Sequence, residues 1–485
     1  MERLSGLDTA FLCLETPNAP MNVIGTILVE PSAEDESFSY ERILRLIEGR
    51  LHRLPPLRRR LLEVPFGLDH PAWVEDRKVV VADHVERIRA APPGSERILA
   101  EIVGRFAARP LDRSRPLWEL AVVEGLAEGR SALVFKVHHA AADGVAAAQM
   151  MLQLLDTSAE PSPESASIPD RARVRAPWRA QLLVQALAGL PLRPARMARL
   201  VGAAAQAGAR LAGEALAPSA GPALPAFPLA APHTRFNGTV SARRRVAYAR
   251  ASLRDLRLVQ SAFETTANDV ILAASTTALR HYLEAHGDRP PEPLVAAVPV
   301  CVRDRKDWNA HGNHISTLFV HLPVQLADPL ERLLAVRAHT RQAKRFHAAV
   351  GGRALRDWAQ LTLPALLARA ARLYSRFELA DRHRPLCNLV ISNVPGPRAP
   401  LYAAGARVVA AHAHGPIFDG AGLNVTVMTY VDSVEFGVLA CERSVPDVEE
   451  IALGFGAAVG ELAKLALEVA PTPRPRHRAR ARRSF

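Results

Sequence analysis

One stretch, residues 131–155, limits the fold more than any other because its hydrophobic period changes within it. A run of β-branched and aliphatic residues ends at His138 and His139, and after Asp143 and Gly144 the apolar residues recur at helical intervals. Such a change predicts a strand, a tight loop and a helix in succession. Open α/β sheets usually carry functional side chains in the loops that follow strands, so we expect a site here.

The two histidines are expected to have different tasks. Adjacent side chains on an extended segment point to opposite sides, so one ring can face a cleft while the other packs. An imidazole that accepts a proton needs its second nitrogen held in place, and Asp143 can either orient such a ring or brace the loop. Gly144 is expected to permit a turn that a side chain would obstruct.

Two other interpretations of the histidine pair have to be weighed. The pair can be a polar loop that only caps a strand, which is the commoner role of an isolated His-His sequence. A metal site would normally show a Cys/His cluster with recognisable spacing, and no third ligand is apparent near the pair. We therefore predict no metal.

Several spaced motifs resemble one family. The segment from His138 to Gly144 is similar to the His-His-x-x-x-Asp-Gly motif of the coenzyme-A-dependent acyltransferase superfamily, which includes chloramphenicol acetyltransferase and the condensation domains of peptide synthetases. The flanking motifs look like those of the bacterial wax ester synthase/diacylglycerol acyltransferase family. The likeness runs from the first residues to about Leu467 and is weaker between about 157 and 230. These motifs are residues 4–17, Pro116-Leu117-Trp118, Asn268-Asp269 and residues 391–397.

The resemblance implies an α/β fold of two chloramphenicol-acetyltransferase-like domains. Each domain would be a mixed sheet covered by helices, and the active site, with His139, would lie at the domain interface. Ala, Pro and Arg dominate residues 161–232, as is typical of a partly helical linker. We therefore predict an N-terminal acyltransferase domain over 1–160, a C-terminal acyltransferase-like domain over 233–470 and a disordered Arg-rich tail over 471–485.

The resemblance also implies an activity. Family enzymes transfer a long-chain fatty acyl group from acyl-coenzyme A to diacylglycerol, to a long-chain alcohol, or to both, and acyl-coenzyme A is then a substrate, so no cofactor is expected. His139 would be the general base. No Gly-x-Ser-x-Gly elbow occurs in the chain, which argues against a serine nucleophile and favours direct transfer in a ternary complex. A carrier-protein-dependent condensation domain and a catalytically silent lipid-binding protein are the alternatives.

Supporting roles follow from the same likeness. Asp143 is expected to be chiefly structural and to pair with Arg303 or Arg58, because an arginine partners this Asp in the wider superfamily. Trp118 is expected to be a structural wedge that lines the acyl or alcohol channel. The Asn268-Asp269 pair has a plain explanation as a helix N-cap, whereas the resemblance places it at the active centre. The remaining expected site residues are His138 beside the base, Asn268 as oxyanion donor, and Asp269, Ser392, Asn393 and Glu15 as substrate-binding or supporting groups.

Chain length and cysteine content indicate the number of domains and the cellular compartment. The 485 residues suffice for two or three domains, and the four cysteines lie far apart, which favours a reducing compartment. Neither a signal peptide nor a membrane span is apparent, so we expect a cytoplasmic protein that reaches lipid peripherally, at the inner face of the membrane or on lipid droplets.

The positive charge does not indicate a nucleic-acid partner. The net charge is +12, and half of it comes from the six arginines of the tail. Aromatic residues make up only 5% of the chain and do not alternate with basic ones. The basic segment 176–213 or the tail is instead expected to assist docking on a membrane or lipid droplet. The alternatives are a helix that packs on its own protein with its arginines in water, and a tail that is only a disordered solubilising arm.

Overall fold

The computed structural model describes residues 1–30, 38–76, 78–160, 178–189, 231–302, 313, 315–350 and 359–469, with the single positions 191, 198, 202 and 206. Within these ranges the strands form two six-stranded sheets and a small three-stranded sheet.

The first part of the chain alternates strands and helices. Its strands are β1 (Glu2–Arg3), β2 (Asn22–Glu30), β3 (Arg59–Leu62), β4 (Ala72–Glu75), β5 (Val85–Arg89), β6 (Trp118–Glu124) and β7 (Ser131–His138). Its helices are α1 (Gly6–Leu14), α2 (Tyr40–Arg50), α3 (Glu96–Ala108), α4 (Gly144–Leu154) and α5 (Arg179–Gly189).

The second part contributes eight further strands and five helices within the described ranges. The strands are β8 (Arg244–Ser252), β9 (Leu294–Cys301), β10 (Ile315–Leu322), β11 (Leu389–Val394), β12 (Tyr402–Ala403), β13 (Ala406–His414), β14 (Leu423–Tyr430) and β15 (Ser433–Cys441). The helices are α6 (Leu253–Phe263), α7 (Ala267–Ala285), α8 (Pro329–Val350), α9 (Pro364–Arg376) and α10 (Val448–Val469).

The first large sheet has the strand order β12-β13-β2-β7-β6-β5 and is mixed, since only β5 and β6 are parallel. Strand β7 is buried at all eight positions because both faces of the sheet are covered. One face packs against α2 and α4, and the other packs against α3. The histidine motif therefore follows a fully enclosed central strand.

The second large sheet has the order β10-β9-β11-β14-β15-β8. Strand β11 is parallel to both neighbours, whereas the other pairs are antiparallel. Helices α7 and α10 supply much of its core. The mixed α/β fold with two helix-covered sheets, predicted from the sequence, is confirmed.

Strands β12 and β13 lie in the first sheet although they come late in the chain. Strand β13 pairs antiparallel with β2, with His414 opposite Ile24. The predicted division assigned residues 402–414 to the C-terminal domain, whereas β12 and β13 pair into the first sheet and complete the open edge of β2. The proposed linker and tail fall mostly or wholly outside the described residues, so their boundaries stay predictions.

The sheets meet closely where β13 crosses β15. A Cβ at Gly437 would lie 2.2 Å from the carbonyl oxygen of Ala413 and 2.8 Å from Cε1 of His414, so no larger residue fits there without a shift of the backbone. Across the described ranges, no helix combines the length and the apolar character that a bilayer crossing would require.

Candidate active site

The predicted strand, loop and helix are present, and they carry the histidine motif into the space between the sheets. Strand β7 ends at His138, and α4 begins at Gly144. Asp143 is the N-cap of α4, where its Oδ1 atom accepts a hydrogen bond of 2.8 Å from the backbone N–H of Ala146. The side chain of Asp143 is fully buried, which suits the expected structural role.

The His139 ring lies on the wall of a cavity and is held on two sides. Its plane stacks on the ring of Phe11, with centroids 3.9 Å apart and planes inclined by 13°. The backbone N–H of His139 donates to the carbonyl oxygen of Met21 at 2.7 Å, which fixes the loop against the start of β2. Ring nitrogen Nδ1 lies 2.9 Å from Oδ1 of Asn313.

The contacts of Asn313 determine which nitrogen of His139 carries the proton. Its Nδ2 group donates to Oδ1 of Asp8 at 2.6 Å and to the carbonyl oxygen of His139 at 2.7 Å. Both partners are acceptors, so the amide oxygen must be the atom that faces the ring. The Nδ1–H group of His139 therefore donates to Asn313. Nε2 keeps its lone pair and has no hydrogen-bond partner within the described residues.

Asp8 anchors this arrangement from α1. Its Oδ1 atom also accepts from the backbone N–H of Asn313 at 2.9 Å, and its Oδ2 atom accepts from the backbone and the hydroxyl of Ser5 in a capping box. Burial raises the pKa of the Asp8 carboxyl, although the hydrogen bonds from Ser5 and Asn313 act in the opposite direction. Asp8 thus joins the first helix to Asn313, which precedes β10.

Burial lowers the pKa of His139 to about 4, because the charged ring would lose its hydration. The negative charge of Asp143 acts in the opposite direction but does not offset burial. The ring is therefore neutral at physiological pH. A neutral imidazole with a fixed tautomer and an open lone pair can accept a proton.

His138 has the packing role that strand alternation predicts. Its ring is buried, its Nε2–H group donates to Oε2 of Glu15 at 2.5 Å, and its Nδ1 atom accepts from the backbone N–H of Ala140 at 3.0 Å. Burial lowers the pKa of His138. Burial alone would raise the pKa of Glu15, but the hydrogen bond from His138 and the charge of Arg113 lower it. Glu15 is thus an ionised acceptor for a neutral ring.

The cavity beside His139 has a volume of about 980 Å³ and lies between the two halves of the chain. That volume is at the upper end of the range for small-molecule sites, about 300–1,000 Å³. Its walls are mostly apolar, and the predicted residues Ser392 and Asn393 of β11 lie on them with His139. Other wall residues are Val23, Phe135, Met151, Phe319, Phe346 and Met428.

Several predicted site residues do not lie on this cavity, among them Trp118 and the Asn268-Asp269 pair. Trp118 is buried, stacks on His84 with centroids 4.4 Å apart, and donates from Nε1 to the carbonyl oxygen of Leu57 at 2.9 Å, so it is a wedge and not a lining of this channel. Asn268 and Asp269 are also absent from the cavity wall. The N-cap of α7 is Thr266, and Asp269 completes its capping box, so the expected cap at Asn268 is wrong by two positions.

Gly144 has a different function from the one expected. It is the first residue of α4 and is not among the glycines with a left-handed backbone, so the turn itself does not require it. A Cβ at Gly144 would instead lie 3.1 Å from Cγ2 of Val394, and Gly144 lines the cavity. The glycine therefore permits a close approach between α4 and the end of β11.

Of the two arginines expected as partners of Asp143, only Arg58 lies within the described residues. Arg58 forms an ion pair with Glu75, with 2.5 Å between Nη1 and Oε1. Arg303 lies outside the described residues, so its pairing with Asp143 stays a prediction.

Sequence reasoning missed the residues that fix His139. Asn313 belongs to the segment 311–316, which is similar to a segment of the family, and Asp8 belongs to the N-terminal motif over residues 4–17. The only signal in the sequence that could have indicated these residues is the joint presence of the N-terminal motif and the segment 311–316. Contacts between residues more than three hundred positions apart cannot be deduced from spacing alone.

One group of metal-ligand type occurs within the described ranges, formed by His286, Asp447 and Glu450. None of the three lies on the cavity wall. His286 Nε2 lies 2.9 Å from Oδ2 of Asp447, whose Oδ1 atom accepts from the Tyr282 hydroxyl at 2.6 Å. These hydrogen bonds give the group a structural explanation.

Comparisons with known proteins identify the family of this chain. Residues 4–271 match the family model of the wax ester synthase/diacylglycerol acyltransferase catalytic domain, and residues 311–463 match the WS/DGAT C-terminal domain. A protein of Mycobacterium tuberculosis (strain CDC 1551 / Oshkosh), provisionally assigned as a diacylglycerol O-acyltransferase, is 37% identical over 464 residues, covering 95% of this chain and 90% of its own. A second such protein, from strain ATCC 25618 / H37Rv, is 36% identical over 467 residues, covering 96% of this chain and 97% of its own.

Solved structures extend the comparison. The wax ester synthase/diacylglycerol acyltransferase from Marinobacter aquaeolei VT8 is 26% identical, with a TM-score of 0.67, and the match covers 96% of this chain and 100% of that one. The first condensation domain of the calcium-dependent antibiotic synthetase shares the fold, with a TM-score of 0.57 at 14% identity. That match covers 97% of this chain and 98% of the condensation domain. The chain belongs to the wax ester synthase/diacylglycerol acyltransferase family.

Proposed function

We propose that this protein is an O-acyltransferase that moves a long-chain acyl group from acyl-coenzyme A to diacylglycerol, giving triacylglycerol, and also to long-chain alcohols, giving wax esters. The observation that carries the proposal is the fixed tautomer of His139, whose Nε2 lone pair is kept available beside an apolar cavity. The relatives' assignments and the family match support the substrate class.

The reaction needs one base and no protein nucleophile. Nε2 of His139 removes the proton of the acceptor hydroxyl while the oxygen attacks the thioester carbonyl carbon. A tetrahedral oxyanion forms, the C–S bond breaks as the carbonyl returns, and the thiolate of coenzyme A takes the proton from Nε2–H. The ring ends neutral, so each turnover exchanges a thioester for an ester with no net proton change and no added cofactor.

The oxyanion needs a hydrogen-bond donor on the cavity wall. Asn268, our expectation from the sequence, does not lie there. Asn393 and Ser392 do, and neither side chain forms a hydrogen bond within the described residues, so both can donate to substrate. We assign the donor to one of these two side chains.

The cellular setting is also part of the proposal. The acceptor is a lipid, so the enzyme works as a cytoplasmic protein at the surface of a membrane or lipid droplet. The Arg-rich tail and most of segment 176–213, which the sequence suggests for docking, lie outside the described residues and keep their predicted role.

The test uses purified protein, palmitoyl-coenzyme A and parallel acceptors, scored for triacylglycerol, wax ester and free coenzyme A. Removal of a general base typically costs about a hundredfold to ten-thousandfold in rate, so His139→Ala should lose that much while its thermal melting is retained. His281→Ala, which alters an exposed histidine of α7, is the matched control and should keep full activity. Near-normal turnover by folded His139→Ala, or accumulation of an acyl-enzyme without acceptor, would contradict the mechanism.

A further inference from the structure

Helix α9 carries an apolar stripe that faces solvent. Leu366, Leu373 and Phe377, which follows the last turn, are 58%, 51% and 54% exposed, and Ala370 between them is exposed as well. These positions are spaced by four, three and four residues, so they lie on one side of the helix. Soluble helices normally turn such a stripe toward the core, and exposed apolar surface on a helix marks an interaction site.

A row of arginines borders this stripe. Arg369, Arg372 and Arg376 are exposed and recur at intervals of three and four, which places them along one flank of the apolar positions. The helix contains no acidic residue. An apolar face beside a basic flank is the pattern of helices that lie in the interface of an anionic bilayer.

The same helix forms part of the cavity wall. Ala370, Ala371 and Tyr374 of α9 line the cavity, as do Leu14 and Leu386, which are 43% and 41% exposed. The exposed stripe is therefore continuous with the rim of the cavity that holds His139. A lipid that leaves a surface covered by α9 would enter the cavity without crossing water.

A turn beside α9 adds the exposed aromatic ring of Phe66 to that of Phe377. Phe66 is 80% exposed and has a left-handed backbone, with φ of 59°, which is costly for a bulky residue. The next residue, Gly67, packs against Ala365 in the first turn of α9, since a Cβ there would lie 3.0 Å from Cβ of Ala365. An aromatic side chain held out in a strained turn, next to an apolar helix face, suits insertion between lipid headgroups.

We propose that the exposed face of α9, formed by Leu366, Leu373 and Phe377 with the arginines 369, 372 and 376, docks the enzyme on an anionic phospholipid surface. The inference rests on the proposed function only in that the lipid acceptor is delivered from this surface. A second copy of the chain fits the face less well, because a two-fold interface would bring the two arginine rows together. The basic flank instead complements anionic headgroups.

Vesicle co-sedimentation of the full chain tests the proposal, with vesicles of phosphatidylcholine and phosphatidylglycerol compared with phosphatidylcholine alone. Each basic residue near an anionic surface contributes roughly fivefold in binding, so Arg369→Gln/Arg372→Gln/Arg376→Gln should weaken binding to the anionic vesicles on the order of a hundredfold at low salt. Leu366→Asn/Leu373→Asn/Phe377→Asn should weaken binding to both kinds of vesicle by about tenfold or more.

Matched controls alter exposed residues on other helices. Arg97→Gln/Arg254→Gln/Arg257→Gln removes the same charge from α3 and α6, and Leu453→Asn alters a leucine of α10 that is 79% exposed. Both should bind vesicles like the unaltered protein. Equal vesicle binding by the α9 variants and the controls would overturn the proposal, as would loss of self-association in place of loss of vesicle binding.

Activity separates this inference from the proposed function. With a short, water-soluble alcohol as acceptor, the α9 variants should transfer acyl groups at the unaltered rate, and they should lose activity only toward diacylglycerol presented in anionic vesicles. If the protein binds vesicles through α9 but transfers no acyl group to any acceptor, the proposed function fails and the docking surface stands. If acyl transfer depends on His139 but the α9 variants bind normally, the docking surface alone is wrong.

Discussion

Asn313 and His139 are joined by two hydrogen bonds that run in opposite directions. The amide Nδ2 of Asn313 donates to the main-chain oxygen of His139 at 2.7 Å, while its Oδ1 atom accepts from Nδ1 of the ring at 2.9 Å. A ring rotation would break the second bond, and an amide flip would break both. The pair therefore fixes the loop, the ring orientation and the tautomer together.

We predict that Asn313 acts only through His139, as a positioning residue. Asn313→Ala should lower kcat by about tenfold to a hundredfold, because the ring then samples the wrong tautomer, and should leave the KM for acyl-coenzyme A nearly unchanged. A double-mutant cycle supplies the check. In the His139→Ala background the Asn313 substitution should cost no further activity, and a full additive loss would show that Asn313 acts on substrate directly.

The pH dependence of kcat/KM should reflect the buried environment of His139. The base must be neutral, and burial lowers the pKa of His139 to about 4, so activity should be constant from mildly alkaline pH through the ordinary histidine pKa of 6.5. It should decline only as pH falls toward about 4. Stopped assays in overlapping buffers, with folding monitored by circular dichroism, would reveal a midpoint near 6.5 if the ring were solvated as in a peptide.

Glu15 is expected to contribute to stability more than to chemistry. Glu15→Ala leaves the buried Nε2–H group of His138 without its acceptor, which should reduce the free energy of unfolding by about 1–3 kcal/mol. Urea denaturation measures this change, with Glu468→Ala on the exposed surface of α10 as the control. Loss of activity at full stability would instead indicate that Glu15 takes part in the reaction.

The contact between the sheets at Gly437 gives a fourth prediction. Gly437→Ala forces a Cβ against the carbonyl oxygen of Ala413 and should destabilise the protein by about 1–3 kcal/mol. Gly460→Ala, in α10, has open space around its Cβ and should be neutral or stabilise the helix by up to about 1 kcal/mol. Thermal unfolding of the two variants compares them directly, and equal melting temperatures would contradict the close packing of β13 on β15.

The sequence predicted local structure well where one short pattern determines it. The run from Ser131 to Leu155 forms the predicted strand, loop and helix, and the family likeness gave the correct fold class. The cap of α7 was misplaced because Thr266 and Asn268 are both good N-cap residues, and only the backbone distinguishes them. Trp118 shows a similar ambiguity, since an aromatic residue next to a motif can pack in the core or line a channel.

The parts that could not be predicted depend on long-range contacts. Asn313 reaches His139 across 174 positions, and nothing in the spacing of either motif encodes that distance. The pairing of β13 with β2 joins residues that are even farther apart in the chain, and any alternating strand with a matching apolar face could have filled that edge. The predicted domain division did not anticipate that β12 and β13 join the first sheet, for the same reason.

The late position of β13 in the chain also affects how the protein folds during synthesis. The ribosome synthesises β2 and β7 long before it reaches residue 414. The edge of β2 that later pairs with β13 is therefore unpaired while most of the remaining chain is synthesised. An unpaired edge is a template for association with other chains. We therefore expect that fragments which stop before residue 406 do not fold alone, and that the exposed edge of β2 needs shielding while the chain is being synthesised.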